Sequence, residues 1–157
     1  MGLIRFVAMP TETARAFQRG ATDAYGLLPE RKVCTDDGFQ CRHCLRHIKV
    51  GSACLTLSYR PFPELQPYAE TGPILLCAEE CERAVETDVM PEIYRAGTEW
   101  LLRGYGHDDR IVYGTGAVTP KQHICTRAHE LLQREDVAYL HLRSAKNNCY
   151  QCRIERA

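Results

Sequence analysis

At 157 residues, with 45% apolar and 25% charged side chains, the chain has the composition of an ordinary globular protein, long enough to bury a core. Lys and Arg total 20, as do Asp and Glu, so the chain lacks the net basic field behind non-specific nucleic-acid binding, and only a local basic patch could supply one. No apolar run approaches the roughly 20 residues that cross a bilayer, and no membrane contact is expected. The N-terminus does not read as a secretory signal, because Arg5 breaks its apolar stretch and Pro10 ends it. Gly2 followed by Arg5 and Phe6 makes a poor acylation signal.

The elements in chain order begin with a strand over Leu3 to Met9. Thr11 is expected to cap a helix running to about Arg19, closed by Gly20. Residues 21–40 read as mostly irregular, punctuated by Gly26, Pro29 and Asp36-Asp37-Gly38. Lys49 to Ser52 reads as a hairpin turn and Cys54 to Tyr59 as a strand. Pro61, Pro63 and Pro67 force an extended connection. Gly72 to Leu76 is an apolar strand, and a helix is expected over Glu79 to Thr87. Glu99 to Tyr105 and Arg110 to Tyr113 read as strands joined by a turn at Gly106 to Asp109. Thr119-Pro120 looks like a cap and first helical residue, opening a helix to about Arg134 with Ile124, Ala128, Leu131 and Leu132 buried. A hairpin closes the chain, Val137 to Arg143 and Cys149 to Ile154 around a turn at Ala145 to Asn148. Several hairpins with few helices predict an α+β fold around an antiparallel sheet, residues 1–157 forming one domain.

Nine cysteines are many, and an odd count cannot pair completely within the chain. In a reducing compartment they point to metal or catalysis rather than disulfides, and the cytosol is the expected location. Four of them fall as C-x2-C and C-x3-C: Cys41 and Cys44, then Cys77 and Cys81. Two half-sites separated by a β excursion match the tetrahedral demand of structural Zn2+. With Cys81 in the opening turn of the helix expected at 79–87, knuckle, hairpin and helix would form a treble-clef-like zinc subdomain over about 38–90. Four thiolates close the coordination sphere, leaving no position for an activated water. His43 or His47 could replace a cysteine, His43 awkwardly if both of its flanking cysteines bind. Cys34, Cys54 and Cys125 have no ligand spacing.

Arg42 and Arg46, with His43, His47 and Lys49, surround the knuckle. Such a patch can contact phosphate or an acidic partner, or simply screen a doubly negative zinc–tetrathiolate. The closing hairpin is the second polar cluster. Period-2 reading places Val137, Tyr139, His141 and Arg143 on one face, and Ala138, Leu140 and Leu142 on the core face. On the return strand, Cys149, Gln151 and Arg153 oppose Tyr150, Cys152 and Ile154, so Cys149 and Cys152 point apart. Arg143, Asn147, Asn148 and Arg153 are candidate binding residues for a small ligand or protein; nucleic acid is the less favoured partner. The alternative is an enzyme with Cys149 as nucleophile and His141 as base. Asn147-Asn148 is equally good turn chemistry, and the whole cluster could be structural.

Over nearly its full length the chain resembles a bacterial family catalogued as domain of unknown function 1203. Cys41-Arg42-His43-Cys44-Leu45, Tyr59-Arg60-Pro61-Phe62, Pro67 to Ile74 and the ending His141 to Arg156 carry the resemblance. It implies a small α+β protein and brings no activity to transfer. The expected function is a zinc-stabilised binding module.

Overall fold

The computed structural model describes residues 3–157; Gly2 and the acylation question lie outside the described residues. The chain is α+β with antiparallel sheets, and it divides into two compact units.

One unit comprises the residues up to Val7, Phe62–Ala69 and Val85–Ala157. Its strands are β1 (Ile4–Val7), β5 (Glu99–Tyr105), β6 (Ala117–Pro120), β7 (Tyr139–Ser144) and β8 (Tyr150–Arg156), in the order β1-β8-β7-β5-β6 with antiparallel neighbours. Its helices are α2 (Glu92–Arg95) and α3 (Ile124–Leu132). The registers Leu102↔Leu142, Leu140↔Ile154 and Phe6↔Ile154 line up one face of large apolar residues. Helix α3 touches β1, β5, β7 and β8. Its buried stripe is the one expected from the sequence: Ile124, Ala128, Leu131 and Leu132. Each fully buried leucine or isoleucine in such a layer contributes about 1.5–3 kcal/mol.

The opposite face is buried as well, which corrects the expectation of a polar face beside an apolar one. Tyr139, His141 and Arg143 are all less than 5% exposed. Aromatic residues make this possible: Phe62, Tyr105 and Tyr139 form a second apolar cluster there, with Tyr105 and Tyr139 stacked. Where Arg110–Tyr113 was expected as a strand, a single bridge joins Ile111 to Tyr105, and β6 is the edge strand instead. Thr119 and Pro120 belong to β6 rather than to a helix cap; α3 is entered through a 3-10 turn, Lys121–His123. Gly104 packs tightly on Thr115: a Cβ there would meet the Thr115 hydroxyl at 3.1 Å, and that hydroxyl accepts the Gly104 N–H at 2.9 Å.

The other unit comprises Ala8–Pro61 and Glu70–Ala84. Its three-stranded antiparallel sheet has the order β2 (Glu30–Val33), β3 (Ala53–Tyr59), β4 (Gly72–Cys77). Strand β2 lies in the stretch expected to be irregular. All four of its residues are exposed, so it shows no alternation to read. Helix α1 (Thr11–Gln18) forms as expected, and Gly20 follows it with φ +97°. Pro10, not Thr11, takes the N-cap position and no side chain caps the helix. Leu55, Leu57, Ile74 and Leu76 pair in register to form the apolar face.

No helix forms over Glu79–Thr87, and the expected hairpin-helix arrangement is corrected on that point. The backbone there bonds elsewhere. Arg15 donates to the Cys81 carbonyl, Gln18 to the Cys77 and Glu79 carbonyls, and the Ala84 N–H to the His43 carbonyl. Carbonyls held by side chains of α1 satisfy the segment without an i→i−4 ladder.

Candidate metal centre

The first half-site is a tight knuckle. Leu45 adopts φ +53°, Leu45 N–H donates to the Cys41 carbonyl at 3.0 Å, and Cys41 N–H to the Arg46 carbonyl at 3.0 Å. A bridge between Gln40 and His47 closes its base. The knuckle is tied to β4 by Arg42 N–H donating to the Leu75 carbonyl, and to the chain before α1 by Met9 N–H donating to the Arg42 carbonyl, both at 3.1 Å. The second half-site starts at the last residue of β4, Cys77, and ends at Cys81 in the extended segment that α1 holds.

These ties bring the sulfurs of Cys41, Cys44, Cys77 and Cys81 within 4.8 Å of one another, the one such cluster of metal-binding side chains among the described residues. The Cys41–Cys81 and Cys44–Cys77 sulfur pairs are each 3.9 Å apart. A tetrahedron with Zn–S of 2.3 Å has S···S edges of about 3.8 Å, so the four thiols fit a Zn2+ ion almost as they stand. Cys41 is buried and the other three are half-buried. Without a cation the cluster draws negative charge to Cys41, whose thiol is held far below its usual range by hydrogen bonds with Cys44, Cys77 and Cys81. Cys44 lies between: its bond with Cys41 raises it, those with Cys77 and Cys81 lower it, and the net is downward. Cys77 and Cys81 are pushed up, in each case first by the bond with Cys41 and then by that with Cys44. A divalent ion would take the place of the shared protons.

His43 lies outside the four-sulfur cluster. Its ring is fully buried, with Nδ1 at 3.1 Å from Cys81 Sγ and Nε2 at 2.9 Å from Thr11 Oγ1. Burial, foremost, lowers its pKa, and the nearby Arg15 and Arg83 add to this against Cys41. The sequence offered no sign of the Thr11 contact, which spans 32 positions. His47 is exposed on the outside of the knuckle.

The other candidate residues separate. Arg42 is buried and turns Nη1 to the Gln40 carbonyl at 2.8 Å. Arg46 is exposed and, with His47 and Lys49, borders an open groove of about 250 Å3 whose floor includes Cys44, Cys77 and Cys81. In the closing hairpin, Asn147 and Asn148 form an exposed turn, Asn148 with φ +56°. Arg143 donates to the Asn148 carbonyl at 3.1 Å and lies 3.0 Å from His141 Nδ1. Arg153 sits 3.7 Å over the Tyr139 ring and bonds Glu155 at 2.7 Å.

His141 is enclosed by the rings of Phe62, Tyr105, Tyr139 and Tyr150, with centroids 4.5–5.4 Å away. Burial, and then Arg143, Arg103 and Arg153, hold it well below its ordinary pKa. Tyr150 reaches this face because a bulge between Leu142 and Arg143 resets the register, so that Tyr150 opposes Arg143. Cys149 is opposite Ser144, bonded through the Ser144 N–H and Oγ, whereas His141 is opposite Arg153. The Cys149 sulfur bonds the Asn147 carbonyl at 3.8 Å, and no hydrogen bond joins it to His141 among the described residues. The two halves of the alternative catalytic pair are therefore not brought together.

No helix among the described residues is long and apolar enough to cross a membrane. No curated protein and no solved structure matches the chain. A family model does, that described as "Protein of unknown function (DUF1203)", over residues 38–156. That span takes in the whole cysteine cluster and the closing hairpin, and the chain belongs to the DUF1203 family.

Proposed function

We propose that this chain is a zinc-stabilised binding protein, with Zn2+ held by Cys41, Cys44, Cys77 and Cys81 in a closed, structural site. The observation that carries the reading is the convergence of four sulfurs within 4.8 Å. The ion would lock the knuckle to the end of β4 and to the segment beyond it, where no helix supplies backbone bonding. Cys41 lies within the apolar core of this unit, and the half-buried Cys44, Cys77 and Cys81 pack against its edge, where the ion would add to that packing. A cytosolic location fits nine cysteines kept reduced and available to metal.

The binding surface we favour is the groove at the metal centre, bordered by Arg46 and Lys49 and by Glu79, paired with Arg31, and Glu80, paired with Arg15 and Arg19. Charges of both signs suit a protein or small zwitterionic ligand better than a nucleic acid, and the balanced net charge agrees. Arg143 and Arg153 lie in or beside the aromatic cluster around His141 and support the sheet in this reading.

The test is chelation of the purified protein with a strong thiol-compatible chelator, followed by circular dichroism and limited proteolysis. Loss of zinc should open the Arg42–Ala84 region to protease while the five-stranded sheet persists. Unchanged protease sensitivity after complete zinc removal would deny the ion its structural role.

A further inference from the structure

The hydrogen bonds around the four sulfurs are unevenly distributed. Cys41 Sγ accepts the Cys77 N–H at 3.3 Å. His43 Nδ1 lies 3.1 Å from Cys81 Sγ and Nε2 lies 2.9 Å from Thr11 Oγ1; toward a zinc-bound thiolate, which has no proton to give, Nδ1–H would be the donor and the Thr11 hydroxyl would donate to Nε2. No N–H or O–H group among the described residues donates to Cys44 or Cys77, whose polar neighbours are the other sulfurs. The same two residues are half-buried and line the 250 Å3 groove, whereas Cys41 is 1% exposed.

Donated hydrogen bonds draw electron density from a metal-bound thiolate, and solvent access decides whether an electrophile can reach it. We propose that Cys44 and Cys77 form a nucleophilic acceptor site, open to the groove, for small soft alkylating electrophiles that carry an anionic leaving group. This rests on the zinc reading above. A lone pair on Sγ forms the new S–C bond, the bond from carbon to the leaving group breaks, and its electron pair departs with that group as an anion. The thiolate becomes a thioether; no proton moves and no oxidant is required. Arg46 and Lys49 border the groove into which the anion is released. His43 is a positioning residue in this scheme: its N–H quiets Cys81, the third thiolate bordering the groove, and confines reaction to the other two.

The experiment uses the full chain as purified, its zinc content measured first, exposed to limiting iodoacetamide and mapped by peptide mass spectrometry. Within the four-cysteine set, Cys44 and Cys77 should carry the label about tenfold over Cys41 and Cys81, the scale expected of outer contacts to a metal site. In His43→Gln, Cys81 should join the labelled pair. Zinc-loaded protein labelled first at Cys41 or Cys81, or evenly across the four, overturns the proposal and leaves the zinc reading standing. Protein purified without metal overturns both. The ranking in the unsubstituted protein decides the matter even if His43→Gln does not fold.

Discussion

Cys54 and Cys77 are direct partners across β3 and β4, yet only Cys77 belongs to the four-sulfur cluster. Cys54 is fully buried and hydrogen-bonds the thiol of Cys34, which burial, first, and then that bond push up to about 11. A buried thiol outside the four-sulfur cluster behaves as a small hydrophobic side chain. Cys54→Ala should therefore retain zinc and cost about 1 kcal/mol of stability by loss of buried volume. Cys77→Ala should lower bound zinc to below about 0.2 equivalents. Metal analysis paired with urea unfolding checks both, and loss of zinc from Cys54→Ala would mean the ligand set is misassigned.

The His141 site sets an acid limit on the five-stranded sheet. The folded pKa lies well below the ordinary value of 6.5, so the unfolded chain takes up a proton that the folded chain does not. The associated stability is complete above pH 6.5, falls with pH between the unfolded and folded pKa values, and levels off below the latter. Urea midpoints measured downward from pH 7.5 to 5, about the range in which histidine titrates, should decline. In His141→Phe that slope should become shallower, the remainder belonging to His43, whose pKa burial also lowers. Asp23 and Asp136, both lowered by hydrogen bonds from the ordinary carboxylate value of 3.8, act only in a more acidic window. An identical slope in His141→Phe would remove His141 as its source.

Cys149 should behave as an independent thiol. Its sulfur bonds the Asn147 carbonyl, and His141 Nδ1 is engaged with Arg143. Its alkylation rate should be unchanged, within about twofold, by His141→Phe, because a base must lie within hydrogen-bond reach to activate it. A drop of about a hundredfold or more, on the order of what a general base contributes, would restore the catalytic pair.

The layer between α3 and the sheet should dominate stability. Leu102→Ala and Leu140→Ala, both at fully buried positions, should each cost about 2–5 kcal/mol. Leu65→Ala, at a residue 80% exposed, should stay within about 0.5 kcal/mol of the parent. Equal effects at Leu65 and Leu140 would contradict the assigned core.

The sequence was legible where one local rule acted alone. Cysteine spacing picked out all four members of the cluster, and the 3.6-residue stripe of α3 gave its four buried positions. The failures share a cause, in that distant partners decided the local state. Glu79–Thr87 was read as a helix because nothing nearby forbids one, but Arg15 and Gln18, about sixty positions away, bind its carbonyls. Strict alternation sets Tyr150 on the face opposite Arg153, but the bulge beside Arg143 brings its ring against His141. His43 was recognised only as an awkward ligand, because its contact with Cys81 exists only once the two half-sites meet.

The zinc content of the full chain, purified without added metal and measured by inductively coupled plasma mass spectrometry alongside a thiol count, tests the central claim most directly. The account predicts about one zinc per chain, with Cys41 and Cys81 protected until the metal is removed. Less than about 0.2 equivalents, with Cys41, Cys44, Cys77 and Cys81 all freely reactive, would contradict it.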